Sequence, residues 1–260
     1  MQIGLSTASF YGRRETEESA AHLRDWPLDF VEVFLETFSE YRRTFGEVVR
    51  ANLGAMPCRS VHVKGTQFEP DLFSASKRQQ QDAMDLLEGA MQAAQVLGAE
   101  YYVFHGPGVM HHDIKPLNIG NVRERIPRIM EVCGRYGVQF LWENVSWCTM
   151  RTPEDVRSVR EAFPQVRFVL DLKQALRSGQ NAFELLHAMG DRLCHLHVMD
   201  WDEAGKLCLP GEGTFDFPRL RKALEDIGYE GGVLLEPYAQ QTVDEEKVKK
   251  SLEYLRNMFT

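Results

Sequence analysis

One feature of the sequence constrains the fold most: short apolar segments alternate with longer helical segments along the whole chain. The apolar segments are rich in β-branched and aromatic residues, which is typical of buried strands. They occupy residues 3–7, 29–36, 59–65, 101–108, 138–145, 166–172, 193–200 and 231–238. This strand-then-helix order predicts parallel strands in one sheet that is covered by helices.

The helical segments show a different periodicity from the strands. In residues 74–97, apolar side chains recur at spacings of three and four, and Gly98 follows as a stop signal. Further helices are predicted over residues 122–136, 156–163 and 216–227. Thr152 and Pro153 precede the 156–163 segment and are predicted to be its N-cap and first helical residue.

The number and spacing of these units favour a closed barrel over an open sheet. Eight units in 260 residues give about 32 residues per unit, which is typical of a (β/α)₈ barrel. An open doubly wound sheet usually carries a GxGxxG turn after its first strand, whereas residues 6–12 read STASFYG. No linker rich in Pro, Gly or Ser divides the chain. We therefore predict an α/β protein, a TIM barrel that forms a single domain over residues 1–260.

Composition narrows the classes of partner. The chain is 43% hydrophobic, and its net charge of −8 argues against binding to a nucleic-acid backbone. Its five cysteines form no CxxC pair, which is typical of a reducing compartment. Neither a signal peptide nor a membrane-spanning apolar run is recognisable. We expect a cytoplasmic protein with a small-molecule substrate, no nucleic acid and no membrane among its partners, and a homo-oligomer as an open possibility.

Residues of the metal-ligand type stand at the ends of six consecutive predicted strands. They are His62, His105, Glu143, Asp171, His197 and Glu236. The active sites of such barrels lie at the carboxyl ends of the strands, so these side chains are expected to meet at one mouth. The last four offer mainly oxygen ligands and one imidazole, which suits Mn²⁺, Mg²⁺, Co²⁺ or Zn²⁺. A divalent ion would also relieve the repulsion among the clustered carboxylates.

Five short motifs connect the chain to a known family. They are WEN at 142–144, LDLKQAL at 170–176, HLHVMD at 195–200, PGEGTFDF at 210–217 and GGVLLEPY at 231–238. In this order and spacing the chain resembles, over its whole length, the xylose isomerase-like barrels of AP endonuclease family 2. That family includes sugar isomerases and epimerases, inosose dehydratases and metal-dependent abasic-site endonucleases.

The resemblance implies roles for particular residues. Glu143, Asp171, His197 and Glu236 match the four ligands of the common metal site. In the similar ketose epimerases, the glutamates that match Glu143 and Glu236 lie on opposite faces of the substrate. One removes a proton next to the carbonyl and the other returns one, while the metal stabilises the enediolate. The implied substrate is a sugar, a sugar phosphate or a keto-polyol, acted on by an isomerase, an epimerase or a related lyase.

Departures from the family pattern leave alternatives open. Gln174 replaces a substrate-binding histidine and Glu203 replaces an arginine, so a familiar free ketohexose is not the expected substrate. His62, His105 and Glu143 match the ligands of a second metal in the endonucleases, which keeps a one- or two-metal hydrolase of an amide or phosphoester as the alternative. Abasic-site cleavage is disfavoured by the charge and by the lack of a third metal site. A barrel that has lost catalysis is a further alternative.

Four residues near the strand ends are candidates for substrate contact. Gln174 could hydrogen-bond to a hydroxyl, and Lys64 either meets an anionic group or is a solvated loop lysine. Trp142 either forms an aromatic wall or packs beneath a loop. His195 points to the same face of its strand as His197, as an interior histidine or a substrate contact.

Three other features carry weaker hypotheses. Glu32, inside a strand, could lie in the barrel interior beneath the metal. The glycine-rich turn at 210–213 offers amides that could hold a phosphate, or it is glycine-rich for conformational reasons. His111 and His112 lie in a long loop that could reach over the barrel mouth.

Overall fold

Ten strands are present in the computed structural model, which describes residues 1–108 and 116–260. They are β1 (Gln2–Ser6), β2 (Phe30–Leu35), β3 (Cys58–Val63), β4 (Tyr101–Phe104), β5 (Gln139–Glu143), β6 (Arg167–Asp171), β7 (Leu193–Val198), β8 (Asp200–Trp201), β9 (Leu207–Cys208) and β10 (Gly232–Leu235). Eight of them close a parallel barrel in the order β1-β10-β7-β6-β5-β4-β3-β2, and β8 and β9 form a separate antiparallel pair. The predicted TIM barrel is confirmed.

Helices follow the barrel strands and cover them. They are α1 (Thr16–Leu23), α2 (Arg43–Leu53), α3 (Lys77–Leu97), α4 (Ile119–Val122), α5 (Arg125–Arg135), α6 (Pro153–Ala162), α7 (Leu172–Arg177), α8 (Ala182–Met189), α9 (Phe217–Asp226) and α10 (Glu245–Phe259). The predicted end signals act as expected. Thr152 accepts a hydrogen bond from the Asp155 backbone N–H, Pro153 starts α6, and Gly98 ends α3 with a φ of 72°.

Alternation along the strands separates the barrel interior from the helical layer. Val103, Leu141 and Val169 form an apolar cluster of their own inside the barrel. Their neighbours Phe104 and Trp142 belong to the larger core beneath the helices. Residues on one strand point alternately to the two sides, so Glu143 shares the interior face with Leu141.

Strand register lines up the polar residues at the barrel mouth. Val169 pairs with His195 and Asp171 pairs with His197 in the β6–β7 ladder. His197 also pairs with Leu234 in the β7–β10 ladder, and Glu236 follows Leu234 by two residues. The ligand-type residues therefore form one layer above the apolar cluster.

Two differences from the sequence-based expectations concern the end of β4. The strand predicted over 101–108 ends at Phe104, and His105 follows it in the loop. The physical reason is Gly106, whose φ of 96° turns the chain away from the sheet.

All five cysteines are free of disulfides. Within the two described ranges, no helix is both long and apolar enough to cross a membrane.

Candidate metal centre and active-site cavity

Four ligand-type side chains meet at the carboxyl end of the barrel. Glu143 ends β5, Asp171 ends β6, His197 lies in β7 and Glu236 follows β10. One ligand atom from each of the four lies within 4.8 Å of the others. His197 Nδ1 is 3.4 Å from Glu143 Oε1, 3.4 Å from Glu236 Oε2 and 3.8 Å from Asp171 Oδ2. All four side chains are buried, so their charges are only weakly screened by solvent.

Unpartnered atoms show that this cluster fits a cation. Among the described residues, Glu143 Oε2, Asp171 Oδ2 and His197 Nδ1 are buried without a hydrogen-bond partner. Leaving a buried polar atom unpaired costs about 1–3 kcal/mol, and more when the group is charged. Three carboxylates and one imidazole are a ligand set that suits Mn²⁺, Mg²⁺, Co²⁺ or Zn²⁺.

A carboxylate lies behind the ring of His197 at ion-pair distance. Glu32 Oε2 lies at an ion-pair distance of 3.3 Å from His197 Nε2 and accepts a hydrogen bond from Ser60 Oγ at 2.8 Å. Placing the ring proton on Nε2 leaves Nδ1 as a lone pair directed at the other three residues. Glu32 therefore lies in the interior layer beneath the cluster, as the sequence suggested for a charge inside this strand.

The pKa values show how strongly the cluster without an ion holds protons. Burial, together with Glu143 and Glu236, raises the pKa of Asp171 to about 8 despite the nearby Lys173 ammonium. Burial would lower the pKa of His62, but hydrogen bonds with Glu236 and Glu32 outweigh it and raise that pKa to about 10. The excess of negative charge is therefore balanced by protons that a bound cation would replace.

A second group of ligand atoms adjoins the first. His62 Nε2 and His105 Nε2 are 2.7 Å apart, and they lie 3.7 and 3.6 Å from Glu143 Oε2. Glu69 Oε2 accepts hydrogen bonds from the backbone N–H of His105 at 3.0 Å and from its Nδ1 at 2.9 Å. This assignment leaves His105 Nε2 as a lone pair, the state that a metal ligand requires.

Glu69 is a residue of the site that the sequence patterns did not predict. It lies in a short 3₁₀ helix (Glu69–Phe73) that shows no strand or helix periodicity. It is fully buried, and it also accepts a hydrogen bond from the Tyr102 hydroxyl at 2.6 Å. Gly65 is required beside it, because a Cβ there would stand 2.1 Å from His105 Nδ1 and 2.5 Å from Glu69 Oε2. One signal could have suggested Glu69. It is an acidic residue in the connection after β3, and that connection also contains Gly65.

A cavity of about 390 Å³ opens above both groups. Glu143 and Glu236 line it together with His62 and His105. Two of the sequence-predicted substrate residues, Lys64 and Gln174, also line it. The volume is within the usual range for small-molecule sites, roughly 300–1,000 Å³.

Two of the predicted substrate residues lie elsewhere, which corrects those predictions. Trp142 is 0% exposed, and its indole N–H donates to the His105 carbonyl at 3.2 Å within the layer between barrel and helices. It neighbours Glu143 in the strand and therefore points to the opposite side. His195 is 0% exposed and lies beneath His197, with its Nε2 3.4 Å from Ser60 Oγ. Neither residue lines the cavity.

The glycine-rich turn at 210–213 does not offer its amides to a ligand. The backbone N–H groups of Gly211 and Gly213 both donate to Asp200 Oδ2, at 3.2 and 3.0 Å. A Cβ at Gly213 would stand 2.3 Å from Asp200 Oδ1, so close approach explains this glycine. The hypothesis for His111 and His112 lies outside the described residues.

Several cavity residues were not among the predicted substrate contacts. Lys173 is buried, with its Nζ 2.5 Å from Glu236 Oε2 and 3.5 Å from Asp171 Oδ2. Arg177 follows it by one helical turn on α7 and also lines the cavity. The i, i+4 spacing of the two cations next to a predicted ligand is a signal that could have identified Arg177.

Comparisons with known proteins found a family model and relatives that match this chain. A family model described as "Xylose isomerase-like TIM barrel" matches residues 16–258. Fructoselysine 3-epimerase of Escherichia coli O157:H7 is 21% identical over 169 residues, which cover 62% of this chain and 61% of that enzyme. The match thus spans less than two thirds of that relative's length.

Solved structures share the fold at low identity. D-psicose 3-epimerase from Clostridium cellulolyticum H10, solved with D-tagatose, aligns with a TM-score of 0.80 at 16% identity over 100% of this chain and 99% of that one. The IOLI protein, solved with a bound zinc atom, aligns with a TM-score of 0.79 at 16% identity over 100% of this chain and 98% of that one.

Proposed function

Because this chain belongs to the xylose isomerase-like TIM barrel family, we propose that it is a metal-dependent isomerase, epimerase or related lyase. Its substrate in this proposal is a sugar, a sugar phosphate or a keto-polyol. The observation that carries the proposal is the convergence of Glu143, Asp171, His197 and Glu236, with unpartnered ligand atoms, at the floor of a cavity. The epimerases among its relatives support it, as does the zinc in the IOLI structure.

The paired glutamates are the proposed acid–base groups. A divalent ion bound by the four residues would polarise the substrate carbonyl as a Lewis acid. Glu143 Oε2 has no hydrogen-bond partner in the described part of the chain and is free to accept a proton from the neighbouring carbon. Glu236 follows β10, which β7 and β6 separate from β5, so it can return a proton from another side.

Two further residues support this chemistry. Lys173 donates a hydrogen bond to Glu236 at 2.5 Å. Burial raises the pKa of Glu236, but the charges of Lys173 and His197 outweigh burial and hold that pKa well below its usual range. Glu236 is therefore ionised before a substrate binds and can accept the proton when the reaction runs in the reverse direction. Gln174 Oε1 accepts from the Ser146 N–H at 3.1 Å and from the Ser146 hydroxyl at 2.7 Å. The Gln174 amide N–H groups are therefore left to donate to a substrate hydroxyl.

The proposal is tested by following carbon-bound hydrogen. The Mn²⁺-loaded protein is incubated in deuterated water with a panel of ketoses, ketose phosphates and keto-inositols. We expect deuterium next to the carbonyl of the true substrate. Glu143→Gln and Glu236→Gln should each lower its turnover by at least about a hundredfold. Glu131→Gln, an exposed change on α5, is the matched control. Full turnover in both active-site variants would refute the paired-glutamate mechanism.

The second candidate function is a two-metal hydrolase. It is favoured by His62 and His105, whose Nε2 atoms are 2.7 Å apart beside Glu143. Metal analysis of protein purified without chelator separates the two, since one ion per chain favours the isomerase and two favour hydrolysis. Cleavage of an amide or phosphoester without deuterium exchange, abolished in His105→Ala, would replace the first proposal with this one.

A further inference from the structure

Two cation–tyrosine pairs stand at the rim of the cavity and have no part in the chemistry described above. Lys64 Nζ donates to the Tyr11 hydroxyl at 2.7 Å, and Arg177 donates to the Tyr238 hydroxyl. Each cation also lies over the ring of its tyrosine, at 5.2 Å for Lys64 and 4.8 Å for Arg177. All four residues line the cavity.

These two cations are not paired with acids. Within residues 1–108 and 116–260, neither Lys64 nor Arg177 has a carboxylate at ion-pair distance, in a protein whose net charge is −8. Other surface cations form ion pairs with acidic residues. Arg43, for example, lies 3.0 Å from Glu47. Positive charge is therefore left available at the mouth of an otherwise acidic site.

In these two pairs the hydrogen bonds leave only donors for a ligand. Lysine and arginine have no acceptor atoms, so each tyrosine oxygen must accept the bond from its cation. The hydroxyl protons of Tyr11 and Tyr238 remain free, because neither hydroxyl donates to another described residue. Two cations and two O–H donors without an acceptor are suited to a group that carries only acceptors and negative charge.

The positions of the four donor residues indicate which end of a substrate they would contact. Tyr11 comes from the loop after β1 and Tyr238 from the loop after β10, and these two strands are paired. Lys64 directly follows β3, and Arg177 ends α7, the helix that follows β6. A substrate whose carbonyl lies among the carboxylates at the cavity floor can thus extend its other end into the donors at the rim.

We propose that the substrate carries an anionic group, a carboxylate or a phosphate, at the end remote from its carbonyl. Lys64, Arg177 and the hydroxyls of Tyr11 and Tyr238 hold this group. The inference rests on the proposed function and narrows its substrate class. The turn at 210–213 is not a competing phosphate site, since its Gly211 and Gly213 amides are taken by Asp200.

Binding of polyols that cannot react tests the anion site separately from catalysis. D-glucitol, D-glucitol 6-phosphate and D-gluconate are titrated calorimetrically into the Mn²⁺-loaded protein at one ionic strength. We expect at least one charged polyol to bind about tenfold or more tightly than D-glucitol. The tighter of the two identifies phosphate or carboxylate as the preferred group.

Variants of the rim residues then test whether these residues cause the difference in affinity between charged and neutral polyols. Lys64→Gln and Arg177→Gln should each weaken binding of that charged polyol about tenfold and weaken binding of D-glucitol much less. Lys250→Gln and Arg78→Gln are matched controls, because both residues are exposed and lie outside the cavity. Equal affinity for charged and neutral polyols, or unchanged binding of the charged one in both rim variants, would overturn the inference.

Exchange in deuterated water distinguishes failure of the inference from failure of the function. D-fructose, D-fructose 6-phosphate and D-fructuronate are the probes. Exchange that is fastest with a charged probe, and slowed by Lys64→Gln, supports both. Exchange that is as fast with D-fructose overturns the anion site and keeps the isomerase. Tight binding of a charged polyol without exchange of any ketose keeps the anion site and counts against the isomerase.

Discussion

Replacing Gly65 by alanine tests whether the His105–Glu69 pair is as tightly built as its geometry indicates. The added Cβ would stand 2.1 Å from His105 Nδ1 and 2.5 Å from Glu69 Oε2. Ordinary contacts of a Cβ begin near 3.4 Å, so the imidazole must move by roughly an ångström. Such a shift takes His105 Nδ1 beyond hydrogen-bond distance of the buried carboxylate, from 2.9 Å at present.

The expected cost follows from these two effects. Overpacking of a filled interior costs about 1–3 kcal/mol, and a buried donor that loses its acceptor, here the Nδ1–H of His105, costs a similar amount. The free energy of unfolding should therefore fall by about 2–6 kcal/mol. For a chain of this size each kcal/mol lowers the melting temperature by about 2–4 °C, so a drop of roughly 10 °C is expected.

Thermal unfolding followed by circular dichroism measures the change. Gly134→Ala is the matched control, because nothing lies within 4 Å of a Cβ at that exposed helical site. The control should raise stability by about 0.5–1 kcal/mol. A Gly65→Ala protein that melts within a degree of the unchanged chain would refute the reasoning.

Three further predictions concern the cluster and the core beside it. Glu32→Gln should weaken divalent-ion binding about 10–100-fold in a chelator competition, since it loses the charge behind His197; unchanged affinity would contradict that role. The raised pKa values of Asp171, about 8, and His62, about 10, mean that both hold protons at pH 7 in the cluster without an ion. Ion binding should therefore release at least one proton, and the affinity for the ion should rise as the pH rises from 6 to about 8. Titration calorimetry in two buffers measures both effects, and an affinity independent of pH would contradict the prediction. Trp142→Phe should lower the free energy of unfolding by about 1 kcal/mol and leave KM unchanged. A higher KM at unchanged stability would instead support Trp142 as a substrate contact.

Much of the fold and the candidate metal centre was predictable from the sequence. Strand and helix periodicities are local properties of the chain, and eight alternating units favour a closed parallel barrel. In that topology every strand ends at the same mouth, so Glu143, Asp171, His197 and Glu236 could be grouped from their positions alone. The structure brings ligand atoms of all four within 4.8 Å of one another. Their role as metal ligands remains our proposal.

Other parts of the site depend on contacts between residues that are distant in the sequence. Trp142 is adjacent to Glu143, yet the pleat of the strand sends it into the layer beneath the helices. Glu69 lies in an irregular connection, and only packing against His105 reveals its role. Tyr11 and Tyr238 meet their cations across gaps of 53 and 61 residues. Periodicity reports which face of an element is buried, but the partner of a side chain is decided only when the barrel closes and brings separate loops to one mouth.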